Sequence, residues 1–298
     1  MTATSTEPTH LFVAAPDGLA LHVASYGERT SAALPVVCLP GLARTAGDFD
    51  ELARALAGRP DEPRRVLALD YRGRGDSAYD RPENYTPAVE LGDLLAVLTA
   101  LEVPRAIFVG TSRGGLIAML LAAARPGAIA GVVLNDVGPV VEPKGLLRIK
   151  GYVGTLPQPR SFAEGAEILQ RLGTARFPKL TEADWLRQAR LTWREADGGF
   201  RLAYDPRLAR TLDGVDLEQP LPSLWPQFDA LGAVPVMVVH GANSDILVPA
   251  TVEAMRARHP DLDVLEVPDQ GHAPLLAEPP VIGRIASFVG FCEFTRRA

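Results

Sequence analysis

The sequence predicts an α/β fold built on an eight-stranded, mostly parallel sheet that is flanked by helices. Short, nearly continuous runs of Val, Ile and Leu alternate with stretches of helical periodicity along most of the 298-residue chain. Such runs are typical of parallel strands that are buried on both faces. The alternation stops near residue 138 and resumes near residue 230. This interruption predicts a helical insertion into one sheet.

Eight apolar runs are the predicted strands, and a turn signal separates the first two. Pro16, Asp17 and Gly18 form that signal, which predicts an antiparallel hairpin at the sheet edge. The predicted strands cover residues 11–15, 21–25, 36–39, 66–69, 106–109, 132–134, 235–239 and 264–267. The predicted helices between them cover residues 49–57, 88–101, 114–124 and 252–259.

The chain is therefore divided into a core and an insertion. Residues 10–137 and 231–298 are expected to form the core, and residues 138–230 a helical cap. Within the cap, helical periodicity is present in two stretches, 162–172 and 181–193. Residues 1–9 are polar and are expected to be flexible.

Composition and charge exclude several classes of protein. The chain is 47% hydrophobic and 22% charged, with a formal net charge of −6, as is usual for a globular protein with a sizeable core. Because no basic cluster provides the surface that phosphate contacts require, we expect no nucleic-acid partner. No apolar run approaches about 18 residues, so we expect no membrane span.

The N-terminus and the cysteines bear on location. MTATSTEPTH lacks the basic and apolar regions of a signal peptide. Cys38 and Cys292 are too few for a disulfide framework. Both observations predict a reducing, cytoplasmic location.

The strongest functional signal is Gly110-Thr111-Ser112-Arg113-Gly114. This G-x-S-x-G motif lies between a predicted strand and a predicted helix. Glycine on either side permits a turn so sharp that the Ser112 hydroxyl projects clear of the sheet. The same turn places the Arg113 amide at a helix N-terminus, where it can donate to an anion.

In this context the chain resembles the alpha/beta-hydrolase superfamily, over about residues 10–293. The resemblance implies a serine hydrolase with a catalytic triad in the chain order Ser, Asp, His, working without a metal or another cofactor. The base is then His272, in a loop after the last predicted strand. Asp245, after the seventh strand, is the favoured acid because the family most often has it there. Asp136, after the sixth strand, is the alternative.

The third predicted strand ends at Pro40-Gly41-Leu42, where the family commonly has His-Gly. The resemblance implies that the amides of Leu42 and Arg113 form the oxyanion hole. For the side chain of Arg113 there are two interpretations. The favoured one is an ion pair with a local acid, and the other is binding of an anionic substrate group.

The aromatic residues of the cap are candidates for the substrate pocket. Those singled out are Trp185, Trp193, Tyr204 and Trp225. Trp185 and Trp193 lie eight residues apart in one helical stretch, which predicts a shared helix face. The loop 70–77 is rich in Gly and is interpreted as structural, with Arg72 paired to a carboxylate or a carbonyl.

The function expected from these features is hydrolysis of a small-molecule carboxylic ester, thioester or lactone. A serine nucleophile argues against relatives that attack with a carboxylate. Three alternatives stay open: hydrolysis of a carbon–carbon bond in a diketone-like compound, a non-enzymatic receptor that keeps the triad, and a cofactor-free oxygenase-like relative. The physiological substrate and the oligomeric state are not predicted.

Overall fold

The computed structural model of the chain describes residues 7–60, 62–214, 219 and 221–297. Its strands are β1 (Thr9–Ala14), β2 (Ala20–Tyr26), β3 (Val36–Leu39), β4 (Val66–Leu69), β5 (Ala106–Thr111), β6 (Ile129–Asn135), β7 (Trp193–Ala196), β8 (Gly199–Leu202), β9 (Val236–Gly241) and β10 (Asp263–Val267). Its α-helices are α1 (Asp50–Ala57), α2 (Pro87–Ala100), α3 (Arg113–Ala124), α4 (Pro143–Lys150), α5 (Phe162–Gly173), α6 (Glu182–Thr192), α7 (Trp225–Asp229), α8 (Pro249–Arg258) and α9 (Pro279–Arg297).

Eight of these strands form one sheet in the order β1-β2-β4-β3-β5-β6-β9-β10. β2 pairs antiparallel with both β1 and β4, whereas the pairs from β4 through β10 are parallel. The predicted eight-stranded, mostly parallel sheet is therefore confirmed. Because β3, β5, β6 and β9 are adjacent, their carboxyl ends and the loops that follow lie side by side.

The sheet is covered on both faces. Along β3, Val37 and Leu39 join the apolar cluster beneath α2 and α3, and Val36 and Cys38 join the opposite cluster beneath α1 and α9. Successive side chains of a strand point to opposite faces, so a strand buried throughout must be apolar throughout. This explains the nearly continuous apolar runs in the sequence.

The loop after β4 is structural, as expected. Arg72 is buried and its guanidinium binds the buried Asp93 carboxylate through two contacts of 2.6 and 2.7 Å. Arg72 also donates to Asp17, in the β1–β2 turn, at 2.8 Å. These ion pairs join the edge hairpin, the loop and α2.

Residues 138–230, which we call the inserted segment, contain α4 to α7 and the β7–β8 hairpin. The hairpin pairs with no strand of the main sheet among the described residues. A capping box between Thr181 and Asp184 begins α6. α6 ends at Thr192 and Trp193 begins β7, so the expectation of one helical face shared by Trp185 and Trp193 is wrong.

Two other expectations concern the chain ends and membranes. Of residues 1–9, residues 1–6 lie outside the described range, and Thr9 already begins β1. Among the helices described, none combines the length and the apolar character needed to cross a bilayer.

Candidate active site

Ser112 lies between β5 and α3 in a strained backbone conformation, with φ +50° and ψ −113°. A Cβ added to Gly110 would lie 2.5 Å from the Gly115 nitrogen, and one added to Gly114 would lie 2.0 Å from the Leu39 carbonyl oxygen. Neither site has room for a side chain. The two glycines therefore let α3 begin directly against β5 and the end of β3, which raises Ser112 above the sheet edge.

The structure brings His272 to Ser112. His272 lies in the loop after β10, and its Nε2 is 2.8 Å from the Ser112 Oγ. Its side chain is 6% exposed. The two residues are 160 positions apart in the chain, and the sheet order brings them together. This is the distance at which an imidazole can remove a hydroxyl proton.

Asp136, and not Asp245, contacts the histidine. The Asp136 Oδ2 lies 2.8 Å from the His272 Nδ1. The Asp245 carboxylate instead accepts two hydrogen bonds from Arg148, at 2.5 and 2.7 Å. The favoured position for the acid is therefore corrected to the alternative one. Burial raises the pKa of Asp245, but the hydrogen bond and charge of Arg148 outweigh burial and hold that pKa below its usual value.

Asp136 reaches His272 because hydrogen bonds from neighbouring residues orient its carboxylate. Asp136 follows β6 with φ +54°, which turns its side chain at the sheet edge. Its Oδ1 accepts a hydrogen bond from the Gly241 amide at 2.9 Å, and its Oδ2 accepts one from the Ser244 hydroxyl at 2.6 Å. With His272 these donors orient a fully buried carboxylate. The loop after β9 thus supports the carboxylate that contacts His272, and its own Asp245 does not contact the ring.

The two residues expected to form the oxyanion hole follow positions close to Ser112. A Cβ built on Gly41 would be 3.8 Å from the Ser112 Cβ, so the loop after β3 reaches the serine. Leu42 follows in this loop, and Arg113 is the first residue of α3. In the described part of the chain, neither amide donates a hydrogen bond to another protein atom. Neither donor is therefore taken up by the protein itself within the described ranges.

The side chain of Arg113 turns away from the cavity. Its Nε donates to the Glu90 carboxylate at 2.7 Å, and its terminal nitrogen donates to the Tyr85 carbonyl at 2.8 Å. This agrees with the favoured interpretation of Arg113 as a partner of a local acid. Glu90 also pairs with Arg74 at 2.8 Å, and Arg74 donates to the Leu42 carbonyl at 2.8 Å. One buried carboxylate therefore links the loop that carries Leu42 to the first residue of α3.

A cavity of about 520 Å³ opens above Ser112 and His272. Of the predicted pocket residues, Trp185 and Tyr204 line it. Trp193 does not, because it is buried against Ala189 and Gly165 within the inserted segment. Trp225 does not line it either, since its ring packs on Phe228 and beneath the Arg258 guanidinium.

Sequence reasoning missed several cavity residues. These are chiefly Arg44, Arg148, Arg176, Phe177, Leu180 and Leu191. Arg176 and Phe177 lie between α5 and α6, where no periodicity marks them. The gap between the helical stretches predicted at 162–172 and 181–193 indicated a connection there, but nothing in that gap indicated that its side chains reach the cavity.

A possible metal cluster lies elsewhere. Among the described residues, one group of at least three His, Cys, Asp or Glu side chains is close enough to share an ion: His10, His22 and Asp76. None of these lines the cavity at Ser112. His22 already contacts the Asp70 carboxylate at 2.7 Å and His10 at 2.8 Å.

Comparisons with known proteins agree with this geometry. The sequence profile of the alpha/beta hydrolase family matches residues 36–282. The chain is 36% identical over 294 residues to a 3-hydroxybutyrate-oligomer hydrolase of Cupriavidus necator, covering 95% of this chain and 98% of that protein. It is 29% identical over 250 residues to the sn-1-specific diacylglycerol lipase ABHD11 of Mus musculus, with 81% and 76% covered.

A crystal structure of an alpha/beta hydrolase from Novosphingobium aromaticivorans is similar throughout. The TM-score is 0.86 and the sequence identity 39%, with 96% of this chain and 99% of that chain covered.

Proposed function

The chain belongs to the alpha/beta hydrolase family, and from this premise we propose that it hydrolyses carboxylic esters with Ser112 as nucleophile, His272 as base and Asp136 as acid. The observation that carries the proposal is the row of two 2.8 Å contacts from Asp136 to His272 and from His272 to Ser112. A carboxylate, an imidazole and a hydroxyl joined in this way activate the serine oxygen, which is otherwise a weak nucleophile. Thioesters and lactones would react by the same steps.

The proposed reaction has two halves. His272 Nε2 removes the Ser112 proton as Oγ attacks the ester carbonyl carbon. Asp136, at Nδ1, holds the ring in the tautomer whose Nε2 is free to accept that proton, and stabilises the imidazolium. The alcohol then leaves with a proton from His272. Water, deprotonated by the same ring, attacks the acyl-enzyme; His272 then returns that proton to the Ser112 Oγ as the acid leaves.

In both halves a negative charge develops on the former carbonyl oxygen. We assign its stabilisation to the amides of Leu42 and Arg113. Fixed donors in a site with little water stabilise such charge more strongly than bulk solvent does, because they need no reorientation.

The inserted segment is proposed to act as the cap of this site. Arg44, in the loop after β3, donates to Gln188 at 2.8 Å and to Thr192 at 3.2 Å, both on α6. Asn243, in the loop after β9, donates to the Arg176 carbonyl at 3.1 Å. These contacts join the segment to the loop beside Ser112 and to the loop that supports Asp136.

We further propose that the substrates are short ester oligomers of hydroxy acids. The Cupriavidus relative, matched along nearly its whole length, is named as a hydrolase of 3-hydroxybutyrate oligomers. A cavity of about 520 Å³ is of the size typical for small-molecule ligands. Apolar side chains such as Leu180, Leu191 and Trp185 line it, as suits the methyl-bearing chain of such an oligomer.

The test is hydrolysis of 3-hydroxybutyrate dimer and trimer, together with 4-nitrophenyl esters of increasing acyl length. The wild-type protein is expected to cleave them, and Ser112→Ala is expected to lose activity. A fluorophosphonate probe should label Ser112 in the wild-type protein.

Other results would favour the alternatives. Labelling of Ser112 without turnover of any ester, but with cleavage of a ring-cleavage diketone, would support the carbon–carbon hydrolase. No labelling and no turnover would support the receptor. Ester turnover that persists in Ser112→Ala would overturn the proposed nucleophile.

A further inference from the structure

Arg176 lies in the loop between α5 and α6 and lines the cavity. A Cβ added to Gly271 would lie 2.7 Å from the Arg176 Cβ. The Arg176 side chain therefore begins directly against the residue that precedes His272. Arg176 and the proposed base therefore line neighbouring parts of the same cavity.

Arg176 differs from the other arginines of the cavity in its partners. Three of the four arginines that line the cavity each have a carboxylate partner: Arg44 with Asp48, Arg148 with Asp245 and Arg187 with Glu51. Arg176 donates one hydrogen bond, to the Leu172 carbonyl at 2.6 Å. No carboxylate among the residues described forms an ion pair with it. A guanidinium has five N–H donors, so most of its donors remain available.

The surrounding charge is unbalanced. Burial lowers the pKa of Arg176, and the charge of Arg148 lowers it further, while the charge of Asp245 raises it. Arg148 and Asp245 neutralise each other through their two hydrogen bonds. Beside that neutralised pair, Arg176 contributes a positive charge that no carboxylate among the described residues pairs with, and a partly apolar cavity strengthens the attraction of such a charge for an anion.

We propose that Arg176 binds a free carboxylate carried by the substrate, so that the preferred esters are anionic. The inference rests on the proposed function and narrows it to esters with a terminal carboxylate. The planar guanidinium matches a carboxylate with two parallel hydrogen bonds. Arg113 was the candidate for this role in the sequence, but its guanidinium donates to the Glu90 carboxylate.

The test compares two substrates that differ only in charge: the linear dimer of 3-hydroxybutyrate, and the same dimer with its terminal carboxylate converted to a primary amide. Arg176→Gln is expected to raise KM for the acid dimer by roughly 10- to 100-fold, the range of charged hydrogen bonds. KM for the amide dimer should change by less than about twofold.

Arg171→Gln is the matched control. Arg171 is on α5, is exposed, and does not line the cavity, so the variant removes the same charge without the proposed contact. Arg176→Lys keeps the charge but not the planar fork, and its KM for the acid dimer should lie between those of the wild type and Arg176→Gln. Equal losses for the acid and amide dimers in Arg176→Gln would overturn the inference.

Failure of the proposed function can be distinguished from failure of the carboxylate site. If the wild-type protein cleaves neither dimer, calorimetric binding to Ser112→Ala still measures the preference for charge. Tighter binding of the acid dimer, lost in Ser112→Ala/Arg176→Gln, would support the carboxylate site. Equal binding of both dimers by Ser112→Ala would overturn it.

Discussion

The Ser244 hydroxyl donates to the Asp136 Oδ2 at 2.6 Å, so the residue just before Asp245 supports the carboxylate that contacts His272. The loop after β9 thus contributes to the site through Ser244 and the Gly241 amide. Asp245 points toward Arg148 instead. Two adjacent residues of one loop therefore contact different groups: Ser244 binds Asp136, and Asp245 binds Arg148.

This arrangement predicts unequal effects of removing the two carboxylates. Asp136→Asn is expected to lower kcat by about 10⁴-fold, because an amide no longer holds the productive imidazole tautomer. Asp245→Asn is expected to lower kcat by less than about tenfold, because Asp245 does not contact the ring. Steady-state kinetics on one 4-nitrophenyl ester measures both. The reverse order of effects would restore Asp245 as the acid.

The buried Glu90 is predicted to stabilise the fold. Arg74 and Glu90 are both fully buried, and Arg113 is 12% exposed at its side chain. Glu90→Gln leaves two guanidinium groups without their carboxylate, so it is expected to destabilise the protein by about 3–5 kcal/mol. It should also lower kcat, because Glu90 links the Leu42 and Arg113 loops. Urea unfolding and kinetics test the two effects separately.

The free energy of unfolding is also predicted to depend on pH through Glu90. Burial raises the pKa of Glu90, but the charges of Arg74 and Arg113 outweigh burial and hold it below its usual value. A depressed pKa contributes stability above the pKa of the unfolded chain, about 4.3, and this stability is lost as pH falls through the folded pKa. The stability difference between wild type and Glu90→Gln should therefore shrink below about pH 4. A difference independent of pH would contradict this role.

Two glycine substitutions should have opposite effects. Gly114→Ala would place a Cβ 2.0 Å from the Leu39 carbonyl oxygen, and is expected to cost about 3 kcal/mol or more of stability. Gly92→Ala lies within α2, where an added Cβ meets nothing within 4 Å. It is expected to add about 0.5–1 kcal/mol through helix propensity. Thermal unfolding measures both, and a stable Gly114→Ala protein would disagree with the described turn.

The two thiols are predicted to be unreactive in the folded protein. Cys38 and Cys292 are both buried and form no disulfide. Burial raises the pKa of Cys38, and raises that of Cys292 to about 12. Since the thiolate is the reactive form, Ellman's reagent should modify neither near pH 8 until guanidinium unfolds the chain. Rapid modification of the native protein would place one thiol at the surface.

Local patterns predicted the fold class and the sharp turn at Ser112, and the family resemblance predicted His272 as its partner. A run of apolar residues indicates that a strand is buried on both faces, regardless of which strands lie beside it in the sheet. The glycines around Ser112 indicate a sharp turn, and a backbone turn is determined by only a few adjacent residues. The position of His272 after the last predicted strand matched the chain order of the triad that the resemblance implies.

Only the tertiary structure decided which carboxylate reaches His272 and which aromatic side chains line the cavity. Asp136 and His272 are 136 residues apart, and their contact depends on the position of β6 between β5 and β9. Sequence spacing places both acids at strand ends but does not orient either side chain. Orientation came from partners on other elements: Gly241 and Ser244 for Asp136, and Arg148 for Asp245. Such partners are properties of packing, and no local pattern records them.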